Sequence, residues 1–284
     1  MHWTHGRWAG TVRSMTIDQA TKAARFRALH ELPEPLLLPN PWDAGTARLL
    51  AALGFGALAT TSLGVANTAG RVRASRQEIL DNIAELDRAT ALPVNADLEN
   101  GFADDPSEAA TMIEAAARAG AVGASIEDST PDRRAPIYEF GLAVDRIRAA
   151  VETAHNLPIP VLLTARAESL LYGLSNIDET IKRLQAFDDA GADVLFAPGL
   201  RTLDEMRAVV SSVGKPVNVV MGFADPSITL EQLGEIGVRR VSIGGALSRL
   251  ALKSFMAGAS EMRAGRFGFV ADLPPISELH DAFA

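Results

Sequence analysis

Residues 93–127 read PVNADLENGFADDPSEAATMIEAAARAGAVGASIE, and this stretch decides the fold class. It begins with a short apolar run, Pro93–Asp97, continues through an alanine-rich amphipathic segment, Ser107–Ala119, and ends in a second apolar run, Gly123–Glu127. Such short apolar runs are typical of strands that are covered on both faces. Gly120 follows the middle segment, where a glycine commonly ends a helix. The stretch therefore predicts a strand, a helix and a second, parallel strand.

The same pattern recurs along the chain from Leu36 onward. We predict a strand at each of eight apolar runs: Leu36–Pro39, Ala57–Thr60, Pro93–Asp97, Gly123–Glu127, Pro160–Arg166, Val194–Pro198, Pro216–Val220 and Arg240–Gly244. Helices are predicted between them, including Ser107–Ala119, Asn176–Ala190 and Leu230–Ile236, with helix entries at Asp105-Pro106 and Asp225-Pro226. Eight repeats indicate an α/β protein with a closed (β/α)₈ TIM barrel, which needs about 250 residues. The alternative is a doubly wound sheet, but no G-x-G-x-x-G follows the first strand.

A single domain accounts for all eight repeats. We predict a loose extension over residues 1–14, with Met15 as a candidate natural start, and one barrel domain over residues 15–284. A helical lead over Ile17–Leu32 precedes the first strand, and a helical extension follows Gly258. No linker rich in Ser, Pro or Gly divides the chain into two domains.

Composition and charge exclude several classes of function. The chain has 284 residues, a net charge of −8 and no cysteine. A nucleic-acid partner is not expected because no basic stripe with interleaved aromatic residues is present. The lack of cysteine excludes disulfides, thiolate zinc sites and a cysteine acid or nucleophile. No apolar run reaches the roughly 18 residues of a membrane helix, so we expect a cytoplasmic protein with no membrane contact.

Acidic residues follow the third and fourth predicted strands. Asp97 and Glu99 come at the end of the third strand, and Glu127 and Asp128 at the end of the fourth. Strand ends meet at one mouth of such a barrel, so these carboxylates repel one another unless a cation joins them. Oxygen ligands without His or Cys suit Mg²⁺ or Mn²⁺. Glu99 or Asp128 alone is as readily explained as a helix cap, but the combination favours a metal site.

Arg166 and the small residues after the second strand complete this prediction. Arg166 ends the fifth strand, where its guanidinium is placed to bind a substrate carboxylate with two N–H groups. Thr61, Ser62 and Leu63 follow the second strand, where their backbone amides can face an anion. A metal, an arginine and such amides together stabilise an enolate. The structural alternatives are an ion-pair partner for Arg166 and an ordinary turn at Thr61.

These motifs, in this order, resemble those of the isocitrate lyase/phosphoenolpyruvate mutase superfamily. The resemblance covers Leu36 to about Gly265 and rests on residues 40–44 (NPWDA), 61–64 (TSLG), 96–102 (ADLENGF), 125–128 (SIED) and 165–168 (ARAE). It implies Mg²⁺ held largely through water by Asp97 and Glu127. It also implies a pyruvyl or oxalyl unit bound by Trp42, by the amides of Thr61, Ser62 and Leu63, and by Arg166.

The resemblance also implies an assembly. Members of the superfamily form tetramers of barrels that exchange their last helix between subunits. The candidate for that exchange is the segment Leu247–Arg263. We therefore expect a homotetramer, or a dimer with a swapped helix, and no partner other than a small carboxylate substrate.

Two departures from the family concern its acidic residues. We assign Asn95 to the first acid of the family's Asp-x-Asp-x-Gly motif. An amide oxygen there can still bind the metal but brings no charge, so Glu99 would have to compensate. A further family acid is replaced near Arg73. Metal affinity is therefore expected to be lower than in the family.

A third departure is the loop after the fourth strand. The lyases carry a cysteine there as the acid, whereas residues 130–138 of this chain read TPDRRAPIY. A cysteine-dependent isocitrate lyase mechanism is therefore not available. Arg133, Arg134 and Tyr138 are candidates for a mobile lid, with Tyr138 as the proton donor. The alternative for the two arginines is that they are solvated loop charges.

The sequence favours a Mg²⁺-dependent lyase or decarboxylase that acts on a small 2-oxo or 2-hydroxy (di)carboxylic acid through a pyruvate-like enolate. The candidate metal ligands are Asp97, Glu127, Asn95 and Glu99, and the candidate catalytic residues are Arg166, Glu127 and Tyr138. Three alternatives stay open. They are P–C bond chemistry of the phosphonopyruvate/phosphoenolpyruvate mutase type, a barrel that binds a 2-oxo acid without turnover, and a phosphosugar enzyme that uses Gly244 and Gly245.

Overall fold

The computed structural model describes residues 18–284, so the extension predicted over residues 1–14 lies outside the described residues. The eight strands are β1 Leu36–Leu38, β2 Leu58–Ala59, β3 Val94–Asp97, β4 Gly123–Glu127, β5 Leu162–Arg166, β6 Val194–Phe196, β7 Val217–Val220 and β8 Arg240–Ser242. Each strand lies within the apolar run that predicted it. Strands of two to five residues suffice because both faces are buried.

The strands form one parallel sheet in the order β1-β8-β7-β6-β5-β4-β3-β2. The seam between β1 and β2 is closed by a backbone hydrogen bond from Ala59 N–H to the carbonyl of Pro39, 2.9 Å long. Asn40 reinforces this seam at the carboxyl end of the sheet. Its amide donates to the carbonyl of Thr60, and its Oδ1 accepts from the N–H groups of Ile243 and Gly244. The predicted (β/α)₈ barrel is confirmed.

Helices cover the outside of the sheet, and their ends follow the sequence rules. They are α1 Gln19–His30, α2 Ala44–Ala52, α3 Ser62–Thr68, α4 Arg76–Ala89, α5 Pro106–Arg118, α6 Phe140–Asn156, α7 Ile177–Asp189, α8 Leu203–Val210, α9 Leu230–Glu235, α10 Ala246–Arg263 and α11 Ile276–Phe283. The Asp105 carboxylate caps α5 as predicted. The helix entry predicted at Asp225-Pro226 is wrong, because Asp225 accepts from Ser227 in a turn and Thr229 caps α9.

The amino end of the barrel is sealed by α1. Ala23 and Phe26 of this helix are buried, and Phe26 packs against Gly123 at the start of β4. The same apolar cluster contains the inward-facing residues Leu36, Leu38, Ala57, Ala59 and Leu162. The predicted helical lead is therefore part of the barrel core. The other end of the barrel stays open and carries the polar strand ends.

The C-terminal segment differs in one respect from the prediction. Helix α10 continues through Gly258 to Arg263, and the ring of Phe269 packs beside Gly258. A 3₁₀ turn, Gly268–Asp272, then leads to α11, whose Phe283 carbonyl accepts from Arg48 of α2. Across residues 18–284, no helix is both long and apolar enough to cross a membrane.

Candidate active site

Arg166 is the centre of a charged cluster at the open mouth of the barrel. Its Nη1 lies 2.9 Å from Oδ1 of Asp97, and its Nη2 lies 2.9 Å from Oε2 of Glu127. The same Nη2 lies 2.8 Å from Oε1 of Glu168, which also accepts from Nε. The guanidinium stacks over the ring of Phe196 at 5.0 Å. Strands β3, β4 and β5 are neighbours in the sheet, so their ends bring these side chains together.

The cluster leaves Arg166 little capacity for a ligand. Of its five N–H groups, one on Nη1 donates to Asp97 and the one on Nε donates to Glu168, while Nη2 lies within ion-pair distance of Glu127 and Glu168. In this arrangement acids of the protein engage all three nitrogens, so Arg166 does not present the free two-pronged clamp that we predicted.

Carboxylates outnumber guanidinium groups at the mouth. Asp128 pairs with Arg183 at 3.2 Å and accepts from the N–H of Glu168. Burial raises the pKa of Asp128 to about 6, and burial together with the neighbouring acids raises the pKa of Glu168 despite the attraction of Arg166. With Glu99 and its partner Arg73 included, five acids face three arginines. This excess of negative charge favours a bound cation.

Glu99 lies in a tight loop between β3 and α5. The backbone of Glu99 has φ 48° and that of Phe102 has φ 60°, a region that residues with a side chain rarely adopt. Arg73 pairs with Glu99 and lies over the ring of Phe102. Burial raises the pKa of Glu99, and Arg73 opposes that rise. The cation near the position of the missing family acid therefore neutralises part of the charge at the mouth.

A buried arginine that the sequence did not single out holds this loop in place. Arg146 of α6 donates to the carbonyls of Asn100, Ala103 and Asp104. Its guanidinium also lies 4.2 Å from the centre of the Tyr138 ring. Three carbonyls that converge on one cation explain why the chain accepts the rare backbone conformation at Glu99 and Phe102.

The predicted amides lie at the same mouth. Ser62 N–H donates to Oδ2 of Asp97 at 2.9 Å, and Thr61 caps α3 through Gly64 N–H. Thr61, Ser62 and Leu63 all line the open pocket, together with Gly244 and Gly245. A side chain at Gly245 would meet Leu63 at 2.7 Å, so this glycine allows the close approach of two loops.

The contacts of Gly244 and Gly245 do not favour the phosphosugar alternative. Gly244 N–H donates to Asn40, so this amide is already used within the protein. The glycine pair is explained as a close turn between β8 and α10.

Four predicted site residues lie away from the charged cluster and the pocket at the mouth. Trp42 packs beside Gly64 and its carbonyl accepts from Asn82, so it supports α3 rather than lining the pocket. The hydroxyl of Tyr138 is buried and donates to Asp104, and it accepts from Asn100. Arg133 and Arg134 are exposed, with Arg134 paired to Asp132. The structure therefore does not bring the predicted proton donor or the two loop arginines to the pocket.

Asn95 lies deeper in the barrel than Asp97. It is two residues earlier on β3, which places it about 6.6 Å further from the mouth on the same inward face. Its Oδ1 faces Gly123 and has no hydrogen-bond partner in the described part of the chain. The structure thus places Glu99, and not Asn95, with the acids at the mouth.

Tyr172 is a mouth residue that the sequence reasoning missed. It follows β5, and its hydroxyl lies beside Ser129, whose own hydroxyl donates to Oε1 of Glu127. Burial and the charges of Glu127 and Glu168 raise its pKa. A signal existed in the sequence, because Tyr172 comes six residues after Arg166 in the loop that leaves the mouth.

Arg240 is a second arginine inside the barrel, also missed. It is 2% exposed, donates from Nε to Oδ1 of Asn218 at 2.9 Å, and donates from Nη2 to Oγ1 of Thr164 at 2.8 Å. Its Nη1 has no partner within residues 18–284. Burial lowers the pKa of Arg240 to about 9, with no acid close enough to oppose it. Arg240 lines the same pocket as Asp97 and Arg166.

Comparison with known proteins finds similar chains and folds. A family model described as phosphoenolpyruvate phosphomutase matches residues 26–263. A solved structure from Burkholderia cenocepacia J2315, described as a lyase/mutase, is 52% identical and covers 94% of this chain and 96% of its own, with a TM-score of 0.91. A 2,3-dimethylmalate lyase, described as a member of the PEP mutase/isocitrate lyase superfamily, is 27% identical over 94% of each chain, with a TM-score of 0.80.

One relative with a stated activity is an oxaloacetate decarboxylase from Pseudomonas entomophila strain L48. It is 28% identical over 223 residues, which are 75% of this chain and 75% of the relative. The matched proteins therefore include enzymes that break carbon–carbon bonds in small carboxylic acids.

Proposed function

The chain belongs to the phosphoenolpyruvate phosphomutase family, within the isocitrate lyase/PEP mutase superfamily, and we propose that it is a Mg²⁺-dependent lyase or decarboxylase. Its substrate is a small 2-oxo or 2-hydroxy dicarboxylic acid, and its reaction passes through a pyruvate-like enolate. The observation that carries this proposal is the surplus of carboxylates around Arg166 at the mouth, next to the Ser62 and Leu63 amides.

The residues at the mouth fit a hard divalent cation. Asp97, Glu99 and Glu127 offer only oxygen atoms, and they repel one another. Among residues 18–284, no three or more His, Cys, Asp or Glu side chains are grouped so that they could hold a metal ion directly. The proposed ion would therefore have to be held through its waters. When bound, Mg²⁺ supplies positive charge for the enolate oxygen, with Asp97, Glu99 and Glu127 as its holders. Mn²⁺ meets the same requirement.

The protein's own groups perform the other tasks. The Ser62 amide is taken by Asp97, so the Leu63 amide is the one that binds a carboxylate or enolate oxygen, with Arg166 beside it to orient that oxygen. Arg166 also keeps Asp97 and Glu127 in place through its ion pairs. Tyr172, whose pKa is raised by burial and by the charges of Glu127 and Glu168, is the better candidate of the two tyrosines for holding the transferred proton.

The absence of cysteine separates this chain from lyases that use a cysteine acid. None of its 284 residues is cysteine, so the proton must come from another group. The loop that would carry that cysteine is a small turn in which Ser129 and Ile137 pair and Thr130 N–H donates to the Pro136 carbonyl. We therefore place the proposed lyase outside the cysteine-dependent branch.

Calorimetry with oxalate tests the proposed function, because oxalate has the shape and charge of a pyruvate enolate. We expect oxalate to bind only with Mg²⁺ present, and the binding to be lost in Asp97→Asn. Asp132→Asn is the matched control, since Asp132 lies in the exposed loop and should leave binding unchanged. A screen of oxaloacetate and substituted malates for release of a 2-oxo acid then identifies the substrate.

Three results contradict the proposal. If oxalate does not bind in the presence of Mg²⁺, the proposed metal site is wrong. Oxalate that binds without any turnover in the screen would favour the barrel that holds a 2-oxo acid but performs no reaction. Turnover of phosphonopyruvate alone would favour the mutase type of chemistry instead.

We also propose that a second copy of the chain covers α10. This helix exposes large apolar side chains that a lone barrel would leave in water: Leu250, Leu252, Phe255, Met256 and Met262. Phe255 is 72% exposed, so Phe255→Glu should shift the protein from an oligomer to a monomer in light scattering. An unchanged mass would contradict the proposed homo-oligomer. Glu278→Lys on α11 is a surface control.

A further inference from the structure

The pocket at the mouth continues downward between the strands to a layer that the proposed reaction does not use. Besides the mouth residues, its walls include Asn95, Ser125, Asn218, Arg240 and Ser242. All five face inward from β3, β4, β7 and β8. A pocket that served only the oxalyl unit at the mouth would not need this polar floor.

The charges along the pocket are unequal. Asp97, Arg166 and Arg240 are the charged residues of its wall. Arg166 is neutralised by three carboxylates, whereas Arg240 contacts only the neutral side chains of Asn218 and Thr164. Its Nη1 has no partner among residues 18–284. A buried cation without an acid is costly unless an anion reaches it.

We propose that Arg240 binds the second anionic group of the substrate. The geometry points to a small dicarboxylate that lies along the barrel axis, with one carboxylate at the mouth and the other on Nη1 of Arg240. Asn95 and Ser125 line the same floor and surround this position with neutral polar side chains. This inference rests on the proposed function for the identity of the ligand class. It names Arg240 as the residue that selects dicarboxylates over monocarboxylates.

Binding of unreactive acids tests the proposal without requiring turnover. The probes are malonate, succinate and acetate, measured by calorimetry with Mg²⁺ present. We expect one dicarboxylate to bind the wild-type protein at least about tenfold more tightly than acetate, as a charge-assisted contact to a buried guanidinium would give. Arg240→Met should remove this preference, because methionine fills similar space without charge or donors.

A second variant keeps the test decisive if Arg240→Met does not fold. Asn218→Asp changes one atom and places a carboxylate where Nε of Arg240 already donates at 2.9 Å. We expect this acid to replace the substrate anion, so the melting temperature of the free protein rises and the dicarboxylate preference falls about tenfold or more. Asn82→Asp, in a buried position of α4 away from this pocket, is the control that keeps the preference.

Three outcomes would overturn the proposal. The first is a dicarboxylate preference that persists in both variants. The second is a lower melting temperature in Asn218→Asp with unchanged binding, which would make Arg240 a purely structural hydrogen-bonding group. The third is a chloride titration that reproduces the stabilisation and abolishes the preference, which would assign the floor to an inorganic anion.

The proposed function and this inference fail separately. If the preference depends on Arg240 but no acid is turned over with Mg²⁺, the inference holds and the proposed lyase activity does not. If a dicarboxylate is turned over and Arg240→Met leaves its KM unchanged, the activity holds and the inference does not.

Discussion

Arg166 and Arg240 both project into the barrel, but the protein gives acidic partners to Arg166 alone. Arg166 ends β5 at the open mouth and contacts Asp97, Glu127 and Glu168. Arg240 begins β8 near the sealed end and contacts only Asn218 and Thr164. The mouth therefore has surplus negative charge, and the floor has surplus positive charge.

The difference follows from where each residue lies along its strand. Side chains at the carboxyl ends of strands are partly open to water, so several acids can gather there at moderate cost. The floor is closed from below by Phe26 of α1, and Arg240 on it is only 2% exposed. An uncompensated charge at such a position is costly, and its presence indicates a ligand more strongly than a charge at the mouth does.

The largest expected effect comes from removing the cation at the mouth. In Arg166→Met, three carboxylates lose their shared partner, so we expect stability at pH 7 to fall by about 3–5 kcal/mol and oxalate binding to be lost. The loss should be smaller at pH 5, because the pKa of Asp128 is raised to about 6 and its protonation then lowers the negative charge at the mouth. Urea unfolding measures it, with Arg134→Met in the exposed loop as the control.

A smaller effect is expected from substituting Tyr172 or Tyr138, which lie at different distances from the charged cluster at the mouth. Tyr172→Phe should lower turnover by about 100-fold if Tyr172 holds the transferred proton. Tyr138→Phe should leave turnover nearly unchanged and reduce stability instead, because the Tyr138 hydroxyl bonds to Asp104 and Asn100. Steady-state kinetics with thermal unfolding separate the two effects. The reverse pattern would restore Tyr138 as the proton donor.

The mouth could be predicted from the sequence because its residues follow a positional rule. Asp97, Glu127 and Arg166 each end a strand that the apolar runs located correctly, and parallel strands bring their ends together. The register of one motif was harder to assign. Counted back from Gly101, the two acid positions of the family motif fall on Asp97 and Glu99, which agrees with the deeper position of Asn95.

The role of the pocket floor could not be predicted from the sequence, because it depends on Arg240 having no acidic partner. A sequence shows that an arginine begins β8, but it does not show whether an acid lies across the barrel. Tyr138 could not be placed from the sequence either. Its position in the predicted lid loop suggested a proton donor, but in the structure its hydroxyl bonds to Asp104 and Asn100. Contacts between distant segments decided both cases.

The smallest expected effect concerns His30, which reports on the charge of the floor. Burial and, to a lesser extent, the positive charge of Arg240 lower the pKa of His30 to about 4, against the opposing effects of the Phe26 carbonyl and Asp193. Between pH 6.5 and pH 4 the unfolded chain therefore binds a proton at His30 that the folded protein does not, so stability falls as the pH falls through this window.

Removing the charge of Arg240 should reduce the stability that the protein loses between pH 6.5 and pH 4. In Arg240→Met the pKa of His30 should rise toward 6.5, and the protein should lose less stability between pH 6.5 and pH 4 than the wild type does. The shift is modest because burial, rather than Arg240, is the first cause. An NMR titration of the His30 ring measures it directly. A pKa that does not move would mean that Arg240 carries no effective charge, and the contrast between mouth and floor would then rest on hydrogen bonds alone.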